Sequence, residues 1–147
     1  MSELIKPILD RFALLLNTMT MPNGLTPFAT IGRAWTGLLV NPPGAWVMPG
    51  RTAFPNQGEG TTRSQIHAIT IRLGLTGADP EELTARALAY VQAVDAAIEE
   101  LLDVSWPDFV KYVYVVEHDY GSMWTKGQGS VAMWPDIHCQ VEVEELR

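Results

Sequence analysis

Few side chains in this sequence could do acid–base, metal or nucleophilic chemistry: three histidines and one cysteine among 147 residues. Gln65 to Gly74 (QIHAITIRLG) alternates apolar and polar side chains, the period of a half-buried strand. His67 shares parity with Ile69 and Ile71 and is expected on the core side, opposite Ala68, Thr70 and Arg72. Ile137 to Glu145 alternates in the same way, with Ile137, Cys139, Val141 and Val143 inward and His138, Gln140, Glu142 and Glu144 outward. If both strands belong to one sheet, His67 and His138 project to opposite faces and cannot share a metal. Cys139 reads as a small core hydrophobe rather than a nucleophile. His118 and Tyr120 stand beside Glu117 and Asp119, but neighbours on a strand point apart and no spaced ligand set accompanies them. The sequence contains no GxSxG elbow, P-loop or HExxH motif. Gly58-Glu-Gly60 and Gly127-Gln-Gly129 lack the strand-then-helix setting of a dinucleotide site. No catalytic, metal or cofactor site is therefore expected, and the chain does not read as an enzyme.

The elements that would position these residues follow from periodicity and punctuation. Ser2 to about Asn17 carries Ile5, Ile8, Leu9, Phe12, Leu15 and Leu16 on one helical face. Phe28 to Trp35, with a possible extension to Val40, is a first strand, and Asn41-Pro-Pro-Gly44 is a turn. Ala45 to Met48 is a second strand that Pro49-Gly50 should close, followed by a long loop from Arg51 to Ser64. After the Gln65 strand, Asp79-Pro80-Glu81-Glu82 starts a helix: Asp79 as N-cap, Pro80 at the first position, Glu82 placed for a capping box. Leu83, Ala87, Tyr90, Val91, Val94, Ile98 and Leu101 form its apolar stripe, to about Asp103. Val110 to His118 is rich in β-branched and aromatic residues, as strands are. The expected class is α+β, a mainly antiparallel sheet of about five strands with the N-terminal and central helices on one face. The length fits one domain over residues 1–147.

Composition narrows the partners. Charged residues make up 18% of the chain, below the ~25% usual for soluble domains. Up to Ala78 there are six basic and three acidic residues; from Asp79 onward there are four basic and fourteen acidic, within a net charge of −7. Such a chain does not bind nucleic acid by neutralising phosphates. Its two halves can instead attract one another between copies. No apolar stretch is long enough to cross a membrane, and the N-terminus lacks a signal-peptide layout, so synthesis in the cytoplasm is expected.

The tryptophans point to association. Trp46, Trp106, Trp124 and Trp134 fall at strand ends or in Pro/Gly-rich segments, where indoles either plug their own core or anchor an interface. The interface candidates are Trp46, Trp124 and Trp134, with Arg51, Gln57, Glu59 and Arg63 from the long loop and Lys126 from the Gly-rich segment. Open sheet edges in so small a protein favour closure into a ring of identical copies.

In its order of elements the sequence resembles the tail terminator and tail-completion proteins, a minor-tail-protein family of long-tailed bacteriophages. The resemblance is carried by the N-terminal amphipathic helix, Ile31-Gly32-Arg33, and Pro43-Gly-Ala-Trp-Val-Met-Pro-Gly50 leading into a long loop. Gln65-Ile-His-Ala-Ile-Thr-Ile-Arg72, the Gly77 to Leu83 helix start, Glu117-His-Asp-Tyr120, Trp124 and His138 to Glu144 follow in order. Pro42-Pro43-Gly44 and the long Gly-rich stretch before the last strand depart from the pattern. The resemblance implies a homohexameric ring in the virion, at the head-proximal end of the tail. It would end tail-tube polymerisation and contact the tail tube protein and the head–tail connector, while DNA passes through the channel without sequence-specific binding. The competing readings are a small-ligand-binding or enzymatic α+β domain, with its pocket between helix and sheet, and another neck or tail-tube protein.

Overall fold

A computed structural model of the chain describes residues 2–33, 42–55, 62–100, 106–125 and 129–146. In chain order these form α1 (Ser2–Thr18), β1 (Thr30–Gly32), β2 (Gly44–Ala53), β3 (Thr62–Gly77) and α2 (Pro80–Glu100), then β4 (Val110–Asp119), β5 (Met123–Thr125), β6 (Val131–Met133) and β7 (Asp136–Leu146). The strands build one mixed seven-stranded sheet. β3 is its spine: β2 runs antiparallel along one side, and β7 along the other from Thr62 to Arg72. Beyond Arg72, β6 takes over that side at Leu75–Gly77 and pairs in turn with β5. β4 lies outside β7, and β1 runs parallel to β2 at the opposite margin.

The alternation seen in the sequence becomes a two-sided sheet. Ile69, Ile71 and Leu73 of β3 and Ile137, Cys139, Val141 and Val143 of β7 are buried. They pack in one cluster with Ile8, Phe12, Leu15 and Leu16 of α1 and Leu83, Ala87, Tyr90, Val91, Val94 and Ile98 of α2. Both helices thus cover the same face, as their apolar stripes require. The Asp79 carboxylate accepts from the Glu81 amide at 3.3 Å, so α2 begins on its expected cap. Tyr90 donates its hydroxyl to the Thr26 carbonyl at 2.6 Å and packs on Phe28, fastening the segment after α1 onto α2.

The α+β class and the mainly antiparallel pairing are as expected, but the sheet has seven strands rather than about five, with β1 alone among the described strands running parallel to its neighbour. β1 is confined to Thr30–Gly32 within the described residues, and Leu101 lies outside them. Pro49-Gly50 does not close β2, which runs on to Ala53. Proline lacks only the donor, and β1 flanks β2 no further than Trp46, so among the described residues the missing N–H faces no ladder partner. A bulge between Pro49 and Thr52 absorbs one extra residue there. The β5–β6 hairpin was not legible, since three-residue strands carry no measurable alternation.

Candidate interface site

The three histidines and the cysteine do not form one cluster. His67 is buried on the core face, with Nδ1 2.9 Å from the Thr52 hydroxyl oxygen. His138 lies on the other face, its Nδ1 3.0 Å from the Thr70 hydroxyl. The register Thr70↔His138 and Ile71↔Ile137 makes that separation a consequence of strand parity. His118 reaches across from β4 to the Asp95 carboxylate of α2 at 2.7 Å. Burial pushes the Cys139 thiol up to about 12, with the charge of Asp95 adding to the effect, so it stays protonated at neutral pH. Among the described residues no three His, Cys, Asp or Glu side chains are grouped to hold a metal, and no helix is long and apolar enough to cross a membrane.

Burial also lowers the pKa of His67 below its usual 6.5. As pH falls through 6.5 the unfolded chain takes up this proton before the folded one does. The stability His67 contributes is therefore complete above that value and is lost on acidification, until the depressed folded pKa is passed. Urea midpoints measured between neutral pH and pH ~5.5 are expected to fall on acidification, and His67→Asn should flatten the slope. An equal slope in both proteins would count against a desolvated His67.

The structured concavity lies elsewhere, on the sheet face away from the helices. A turn after β4 builds it: the Gly121 amide donates to the Asp119 carboxylate at 2.9 Å, and Gly121 adopts φ +64°, where a side chain would be strained. The turn leads into β5, so that Trp124 meets Trp134 edge to face, with ring centroids 6.1 Å apart. Together with Arg72, Asp119, Gly121, Ser122 and Asp136, these indoles line an open cleft of about 500 Å³. Arg72 forks onto Asp136, Nε to Oδ1 at 2.7 Å and Nη2 to Oδ2 at 2.8 Å. This geometry, helped by the charge of Asp119, raises the Arg72 pKa despite its partial burial.

Of the interface candidates, Trp124 and Trp134 meet in this cleft. Trp46 is placed differently. It is 6% exposed and lies on the same sheet face, in register with Arg72, covering Gly32 and Gly44. Arg51 sits exposed in the β2 bulge. The backbone of Arg63 pairs with Glu145 in the β3–β7 ladder. Gln57, Glu59 and Lys126 lie outside the described residues. Arg72, Asp119 and Asp136 were not among the candidates. Only the strand register brings them together, although the Asp-x-Gly turn after β4 was a readable signal.

Four large hydrophobic side chains project from the adjoining margin: Tyr112 at 65%, Trp124 at 57%, Val116 at 48% and Tyr114 at 37% exposure. Tyr112, Tyr114 and Val116 belong to β4, which among the described residues pairs only with β7.

No protein-family model and no curated protein matches the chain. Among solved structures it is similar to a chain from the virion of a native gene transfer agent (GTA) particle. The TM-score is 0.45 and the identity 14%, over 91% of this chain and 84% of the other.

Proposed function

We propose that this chain is a structural protein of a tailed-phage virion, closing with copies of itself into a hexameric ring at the head-proximal end of the tail. There it ends tube polymerisation and joins the tube to the head connector, while DNA passes through. The observation that supports this reading best is the β4–β5 margin. A strand with an open edge is a template for another chain, and Tyr112, Tyr114, Val116 and Trp124 leave that edge apolar. Single exposed hydrophobics are ordinary, whereas several along one edge that is unpaired among the described residues mark an interaction surface. The elements that carry the sequence resemblance follow one another in the same order in the fold, with the short β5 and β6 added before the last strand. The acidic excess after Asp79 suits a channel that repels phosphates and lets DNA slide.

Size-exclusion chromatography with light scattering, followed by negative-stain microscopy on tail tubes, tests the reading. Closed rings, or caps at tube ends, are the expected outcome. Unlimited polymers would instead indicate a tube protein. A strict monomer that also ignores tail tubes would end the proposal.

A further inference from the structure

We propose that the Trp124–Trp134 cleft receives Arg51 of the adjacent copy, its guanidinium against the exposed Trp124 indole and paired with Asp119; this rests on the ring reading above and specifies its contact. Arg72, Asp136 and Asp119 are successive register partners across β3, β7 and β4. The row thus reads one cation and two anions. Arg72 is committed to Asp136 through its fork. Asp119 remains exposed and turned toward its own Gly121 amide, with no ion pair among the described residues. Carboxylates directly opposite on neighbouring strands repel one another, so among the described residues the row carries more negative than positive charge. Trp124 beside it is exposed, and an exposed indole offers a face on which a guanidinium stacks better than an ammonium.

The chain supplies a matching group. Arg33 and Lys6 contact Asp10, Lys111 contacts Glu144, and Arg86 donates to the Thr76 carbonyl. Arg51 is exposed and forms no ion pair among the described residues. It stands in the β2 bulge, on one side of β3, whereas the cleft lies on the other. A group on one margin that fits a receptor on the opposite margin makes a head-to-tail contact. Repeated contacts of that kind generate a ring when the rotation closes.

The test uses the full chain and the variants R51E, D119R and the charge swap R51E/D119R, with assembly followed by light scattering over a dilution series and folding by circular dichroism. Each single variant is expected to weaken assembly about tenfold or more, and the swap to recover most of that loss. Because Asp119 also holds the Gly121 turn, R51E is the deciding single variant. Wild-type-like assembly of R51E, or a swap no better than either single variant, overturns this contact and leaves the ring standing. A wild-type chain that is monomeric in solution and on tail tubes overturns the ring reading, and this contact falls with it.

Discussion

Trp124→Ala is expected to leave the folded subunit intact and to weaken ring assembly by about 2 kcal/mol or more, some thirtyfold in dissociation constant. The expectation follows from where the indole stands. It is 57% exposed on a three-residue strand and meets the ring of Trp134 edge to face. An aromatic pair of that kind is worth about 0.5–1.5 kcal/mol beyond its area, so the isolated subunit loses that and the burial of the covered part of the ring only. Burial of the exposed face by a neighbour would supply the larger loss. Thermal melting of dilute protein and light scattering of concentrated protein separate the two quantities. Collapse of the dilute subunit would make Trp124 a core residue; unchanged assembly would remove it from the interface.

Trp46→Ala is expected to do the reverse. This indole is 6% exposed and lies against two glycines so closely that a Cβ at Gly44 would sit 2.6 Å, and one at Gly32 2.8 Å, from its ring. Removing it should destabilise the subunit by about 3–5 kcal/mol, the usual loss for a large buried aromatic. A fall in the urea midpoint with an unchanged slope is the expected record. Gly44→Ala should also be costly, because β2 and the ring cannot both keep their places. Wild-type stability of Trp46→Ala would show that the ring contributes nothing to the fold. The same residue type thus serves two ends, and what separates Trp46 from Trp124 is what lies over each ring.

The regular parts of the fold were legible because one face of each is buried. In β3 and β7 a period of two placed His67, Ile69, Ile71 and Leu73, and Ile137, Cys139, Val141 and Val143, on the buried side. In α2 the Asp79 cap and the stripe from Leu83 to Ile98 marked its start and its inner face. Local signals failed where a neighbour decides the outcome. Pro49 looked like a strand end because the sequence does not say which side of β2 carries a ladder. The β5–β6 hairpin has no such signal, because β6 is held by β3 and β5 by β6, not by a periodicity of their own.

Sequence by itself determined the two-sided strands, the two amphipathic helices, the α+β class, the uneven charge and the supply of indoles, since each of these depends on residue type and short spacing. Tertiary structure decided the rest. Arg72 and Asp136 are 64 residues apart in the chain, and only the antiparallel register of β3 against β7 makes them a bidentate pair. The same register carries Asp119 beside them and leaves Trp124 uncovered at the margin. A contact between distant residues follows from how strands align, and strand alignment is a property of the assembled sheet.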